Sequence, residues 1–242
     1  LRGFYRPHGE CVNSAGDVFI ANQDTIVEYK HGGKKPIGTL TFPGYNSIGC
    51  ASDPTTGNLA ATWSTNSSGY VAIYQDASGT PTLYSNGDMR PYYCGYDNKG
   101  NLFVDGTPGE ASGFVFAELP KGGSDLMNVT LNQEISFGYS VQWDGKYIAV
   151  EDPTTSKIYR FAISGCTGTL KGTTSLGGLT IGPQLAWITG DRVLVAYEVN
   201  VSYKPLGEVL YYRYPKGGSA IKTISDGDYT APEGVTVSLA PH

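Results

Sequence analysis

Five stretches of the chain repeat one pattern, and that repetition limits the fold more than any other feature. Residues 9–22 (GECVNSAGDVFIAN), 49–62 (GCASDPTTGNLAAT), 93–106 (YCGYDNKGNLFVDG), 140–152 (SVQWDGKYIAVED) and 184–198 (QLAWITGDRVLVAYE) each read as a short strand, a polar turn and an apolar strand. A third strand follows each (TIVEYK, YVAIYQ, FVFAEL, KIYRFAI, EVLYYRY), and a Gly-rich turn then leads to a fourth (KPIGTL, TPTLYS, DLMNVT, GTLKGT, SAIKTI). The residue closing the first strand is Asn13, Asp53, Asp97, Asp144 and Ile188, in steps of 40 to 47 residues. Four strands in about 44 residues is the size of a propeller blade.

Turn chemistry and composition agree with this. Asp53 and Asp97 open Asx-type turns, and the following Gly supplies the left-handed backbone such turns need. The 33 Gly and 14 Pro favour many turns over long helices, and the 18 Tyr suit half-buried strands. No capped segment with a 3.6-residue apolar period is present. The expected fold is therefore an all-β propeller in a single domain, with repeats at 7–44, 45–88, 89–134, 135–180 and 181–228. The tail around Pro232 copies the opening around Pro7, so residues 232–240 read as one extra first strand. Five blades is the simplest count. Six would need about 30 further residues, and a start at Leu1 rather than Met leaves room for an upstream segment lost by processing.

With the repeats in view, the sequence resembles the NHL-repeat and SMP-30-like propellers, in particular secreted bacterial proteins of that broad group. The residues that carry the resemblance are Pro7, Gly9 and Val12 at the start of the first repeat, echoed by Pro232, Gly234 and Val235, and the Asp97, Gly100, Asn101, Leu102 turn. Gly-His and Trp-Asp signatures of WD40 blades are absent, because Trp143–Asp144 falls at a turn in the wrong part of the blade. The resemblance speaks to fold and says little about function, since propellers host binding and catalysis alike. It brings calcium into view as a cofactor, although no ligand set matches residue by residue. Related lyases use a His with an acidic partner, and of His8, His31 and His242 only His8 stands near the start of a blade.

Charge and motifs exclude several classes. The formal net charge is -5 with no Lys/Arg block, which argues against nucleic acid. No apolar run has the length of a membrane span. There is no G-x-S-x-G elbow, and the Gly-rich pieces KHGGK and PKGGS precede strands, so they are turns and not phosphate loops. Asp53, Asp97 and Asp144 are read as structural turn residues.

Three features remain. Cys11 and Cys50 lie in consecutive first strands on opposite faces, so a Cys11–Cys50 disulfide between blades one and two is expected; the alternative is buried thiols. Cys166 lies in an outer turn. Asp24, Asp105, Glu151, Asp152 and Glu198 follow the second strands, where they can ring one channel mouth and bind a cation or cationic ligand, or serve only as solvated loop charge. Sequons occur at Asn66, Asn128 and Asn200. The expected function is a secreted or cell-surface binding or structural module, more a binder than an enzyme, with a small ligand or surface partner on the rim of the second-to-third-strand loops. The alternatives are a metal-dependent, lactonase-like hydrolase or lyase, and a subunit that self-associates through its extra terminal strand.

Overall fold

In the computed structural model the chain forms five antiparallel sheets arranged in a ring, a five-bladed β-propeller. The structure describes residues 4–42, 44–87, 89–179, 185–201, 204–225 and 233–239, with the side chains of 196–201 and 204–206 outside the description. Blade one holds β1 (Pro7–Val12), β2 (Val18–Asn22), β3 (Thr25–Tyr29) and β4 (Pro36–Thr41), and blade two β5 (Asn46–Ser52), β6 (Leu59–Ser64), β7 (Gly69–Tyr74) and β8 (Thr82–Tyr84). Blade three holds β9 (Met89–Tyr96), β10 (Leu102–Pro108), β11 (Val115–Leu119) and β12 (Met127–Asn128). Blade four comprises β13 (Thr130–Leu131), β14 (Val141–Trp143), β15 (Ile148–Asp152), β16 (Lys157–Ser164) and β17 (Thr167–Gly177). Blade five comprises β18 (Leu185–Thr189), β19 (Arg192–Val201), β20 (Lys204–Arg213) and β22 (Lys222–Ser225), and β21 (Gly218–Ser219), between the last two in the chain, joins the sheet of blade four. The short β13 and β21 pair in parallel with opposite ends of β17, which ties blade four to the chain on either side of it. Among the described residues the only helical piece is one 3₁₀ turn, Gln75–Ala77.

Strand alternation explains the ring. Each strand sends successive side chains to opposite faces, and each face of an inner blade must be covered by a neighbour. Phe19 and Ile26 of blade one meet Leu59, Trp63 and Tyr74 of blade two, while Ala51, Ala60 and Val71 meet Leu102 and Val104 across the next interface. Phe103 and Phe116 then meet Ile148 and Phe161, and Ile158 and Leu176 meet Val193 and Tyr212. Four of the five interfaces thus carry apolar clusters. At the fifth, between blades five and one, Glu10 occupies the position that Cys50 and Cys94 hold in their blades.

Strand register corrects two expectations. Ile188 pairs with Val193 as Trp143 pairs with Ile148, so the fifth counterpart of Asp144 is Thr189, one residue later than the spacing gave. The tail is not an extra strand: residues 233–239 join none of the five sheets. They run beside β1, with Glu233 against His8 at its start and Ser238 Oγ donating to Gly16 O (2.6 Å) in the turn beyond its end.

The turn aspartates are structural, as expected. Asp53 accepts from Thr55 N (2.8 Å), Asp97 from Lys99 N (2.8 Å), and Asp144 from Lys146 N (2.9 Å). Burial works against the charge on Asp53, yet hydrogen bonds from Thr56 and Thr55 hold its carboxyl below the ordinary value.

Cys11 and Cys50 are joined by a disulfide, with Cα atoms 5.6 Å apart. The bridge links blades one and two across their first strands and by chain entropy contributes about 3–4 kcal/mol. Cys94 is a buried free thiol and Cys166 an exposed one. Register places Cys94 opposite Val104 as Cys50 is opposite Ala61, and Ala51 opposite Ala60 as Cys11 is opposite Phe19. Ala51 and Cys94 also share one apolar cluster. Ala51→Cys is therefore expected to form a second bridge, from position 51 to Cys94, worth up to about 4 kcal/mol. Peptide mapping without reduction checks this; a Cys94 that stays free in the variant would show that the two interfaces are not equivalent.

Candidate functional site

The axial channel owes its shape to a defect repeated in the first strands. Pairing slips between Pro7↔Asn22 and Glu10↔Ile20 in blade one, between Ser47↔Trp63 and Cys50↔Ala61 in blade two, and between Pro91↔Gly106 and Cys94↔Val104 in blade three. Each slip is a bulge: two residues of the first strand face one residue of the second. In blade four Tyr139 and Ser140 stand the same way against Glu151, whose backbone bonds to both. The bulge re-aims the first residue of each pair towards the axis. His8, Ile48, Tyr92 and Tyr139 consequently line one cup of about 350 Å³, together with Arg90, Tyr93, Phe137 and Glu233. The cup opens on the rim where the first strands begin, which is also the rim of the second-to-third-strand turns.

Inside the cup the rings touch in a chain. Tyr92 and Phe137 have centroids 5.5 Å apart, Phe137 and Tyr139 5.4 Å, and Tyr93 stacks on Tyr139 at 5.9 Å with 27° between planes. The guanidinium of Arg90 lies 5.0 Å over Tyr92. His8 Nδ1 meets Glu233 Oε2 at 2.7 Å, so the wall is completed across the seam between the two ends of the chain. Below the cup the channel narrows to about 30 Å³, ringed by Gly9 and Glu10 of blade one and by their counterparts in the other blades.

Bulges free backbone groups, and a buried polar group without a partner is costly. In blades two and three the second-strand residue facing the bulge answers this, and in blade four it meets a side chain of the bulge; in blade one the facing residue is Ala21, which has no polar side chain. Gly49 N donates to Thr62 Oγ1 (2.8 Å), Tyr93 N to Asp105 Oδ1 (2.7 Å), and Ser140 Oγ to Glu151 Oε2 (3.3 Å). Asp105 and Glu151 are therefore the braces under the residues that shape the cup. They are wholly buried, and the expectation of exposed rim carboxylates is corrected for both. Each also keeps one oxygen without a hydrogen-bond partner, as does Glu10. Two of these oxygens pack on glycine: a Cβ on Gly138 would lie 2.1 Å from Asp105 Oδ2, and one on Gly234 2.0 Å from Glu10 Oε2.

The remaining candidates do not join this group. Asp152 is buried too, but its carboxylate accepts from Thr154 N (3.0 Å) and Ser136 N (3.2 Å), a turn role. Asp24 is exposed in the β2–β3 turn of the same rim. Glu198 lies on β19 opposite Gly207, and its side chain is outside the described residues. Of the sequon residues, Asn66 is exposed in the β6–β7 turn, Asn128 is exposed on β12 and accepts from Asn86, and Asn200 is on β19 with its side chain outside the description. Sequence reading passed over Glu10, Tyr92, Phe137, Tyr139 and Glu233. The signal was the residue pair just before each aligned first-strand position (His8–Gly9, Ile48–Gly49, Tyr92–Tyr93, Tyr139–Ser140).

Burial without a compensating charge pushes the Asp105 carboxyl up to about 7 and those of Glu10 and Glu151 up to about 8. Tyr93 N opposes the rise at Asp105, and Ser140 opposes it at Glu151. All three folded-state values lie above the ordinary carboxyl values, so the folded protein holds more protons than the unfolded chain through this window. Their contribution to stability is complete below about pH 4 and is lost as pH rises through about 7–8. Calorimetry at about pH 5 and pH 9 is expected to show Tm falling at the higher pH, by about 2–4 °C per kcal/mol lost. Glu10→Gln, Asp105→Asn and Glu151→Gln should each flatten that slope, and a slope unchanged in all three would show that these groups do not titrate there.

Among the described residues no group of three or more His, Cys, Asp or Glu side chains is placed to hold a metal ion. No family model matches the chain, and no curated protein matches it. The NHL-repeat and SMP-30 likeness thus stands on its sequence motifs alone. Among solved structures, the chain is similar to a protein of unknown function from Bacteroides caccae, with a TM-score of 0.70 and 12 % identity over 97 % of this chain and 87 % of that one. At that identity the likeness establishes the propeller fold and nothing finer.

Proposed function

We propose that this protein is a binding module of an oxidising, extracellular compartment, and that its ligand is a small molecule held in the aromatic cup at the channel mouth. The observation that carries the reading is the convergence of four bulges. Bulges are used to re-aim side chains near functional sites, and here they turn His8, Ile48, Tyr92 and Tyr139 into one concavity. About 350 Å³ is the size of a small-molecule pocket, and rings with a few polar groups are its usual lining. Keeping two braces as buried, half-satisfied carboxyls costs stability, as binding sites often do. The Cys11–Cys50 bridge supports the compartment, since such bonds persist in oxidising surroundings.

A larger concavity of about 570 Å³ lies on the flank between blades three and four, around Phe116, Val129 and Ile135. It follows from the chain leaving β12 for β13, and no unpartnered buried side-chain atom belongs to its lining. A fragment screen by ligand-observed NMR, followed by crystals soaked with the hits, tests the choice between them. Hits are expected against Tyr92, Phe137 and Tyr139, and Ile48→Trp, which fills the half-exposed wall of the cup, should abolish them while leaving Tm within about 2 °C, as a change of under 1 kcal/mol would. Hits confined to the flank, or to the opposite mouth beside Trp143 and Trp187, would refute it.

A further inference from the structure

Resting on the cup as the ligand site, we infer that its ligand is an organic ammonium ion, seated on the Tyr93–Tyr139 stack with Glu233 as counter-charge. Aromatic faces carry negative potential, and a cation within about 6 Å of a ring centroid is attracted to it. Arg90 supplies the protein's own example, but it sits on Tyr92 at the wall. Among the described residues no Lys or Arg lies over Tyr93 or Tyr139.

The charges that act most on that pair are acidic, while the basic residues of the cup stand off it: Arg90, whose Nε has no hydrogen-bond partner, lies over Tyr92, and His8 meets Glu233. Burial raises the Tyr93 phenol, and Tyr139, Asp105, Glu233 and Glu10 raise it further. Burial likewise raises Tyr139, with Glu233, Glu151 and Tyr92 adding to it. Directly beneath, Glu10 lines the waist, half-buried, with its buried Oε2 lacking any donor. A ligand anion would meet the Glu233 carboxylate at the wall, with Arg90 held over Tyr92 on the other side, and a neutral one would leave the ring faces and Glu233 unanswered. An ammonium group satisfies the rings and Glu233 together, and it competes with His8 for that half-exposed carboxylate.

Isothermal titration of the full chain separates the classes. The probes are choline, its neutral isostere 3,3-dimethyl-1-butanol, n-butylammonium and propionate. Choline is expected to bind about 2–30-fold more tightly than the isostere, the range that a cation–π contribution spans, and n-butylammonium to bind where propionate does not. Glu233→Gln should weaken both cations several-fold and leave the isostere unchanged. Tyr139→Phe should retain choline binding and Tyr139→Leu lose it; a Tyr139→Leu chain that fails to fold leaves the isostere comparison on the unaltered protein to decide. An isostere that binds as well as choline, propionate that binds better than n-butylammonium, or cations indifferent to Glu233→Gln would overturn the assignment. If these failures come with fragments still seated in the cup, the cation is wrong and the site stands; if no fragment enters the cup, the site itself is wrong.

Discussion

The structure depends on one requirement: each four-stranded sheet has two apolar faces and no partner of its own to cover them. A flat stack would cover inner sheets and leave the two outermost faces wet. A ring covers all of them, and strand alternation decides which side chain serves which neighbour. Cys11 faces blade two and Cys50 faces blade one because they differ by one step of that alternation, and so a covalent bond replaces an apolar contact there without disturbing the register. The same rule carries a cost at the last interface. The ring must close on a chain with two free ends, and there the position that holds Cys50, Cys94 and Val141 in other blades holds Glu10, with the tail packed over it.

The bulges are the second level of this logic. Near the axis the first strands crowd together, and uninterrupted pairing would leave their side chains committed to the interfaces. A one-residue slip in the first strands of blades one to four frees one side chain of each for the channel. It also exposes an amide, which Thr62 or Asp105 then satisfies from the neighbouring strand. Cup and buried acids are therefore one construction: the rings stand where they do because the polar groups beneath hold the backbone in its slipped register. A carboxyl in such a place must either give up its charge or share it.

The fold was legible because it is written five times. Turn residues such as Asp97 and Gly100, and the alternation of Leu102 to Val104, each repeat at the blade period, and repetition suppresses local ambiguity. The Cys11–Cys50 bond was legible for the same reason, as a parity difference between two copies. The site was legible only in part. Asp105 and Glu151 stand out as charges after apolar strands, but sequence cannot tell whether such a residue ends its strand or remains inside it. Both remain inside, opposite a bulge, and bulges leave no mark in composition. The tail misled because Pro232 and Gly234 copy Pro7 and Gly9, yet residues 233–239 join none of the sheets.

The narrowing below the cup has a consequence for traffic through the molecule. At about 30 Å³ the waist has room for about one water molecule. Among the described residues the cup thus has a filled floor, with no room beneath it for a ligand of the cup's own size. The far mouth, with Trp143 and Trp187, is a second concavity of about 270 Å³ on the same frame. Two sites so arranged could change in evolution without interfering with each other, on one scaffold.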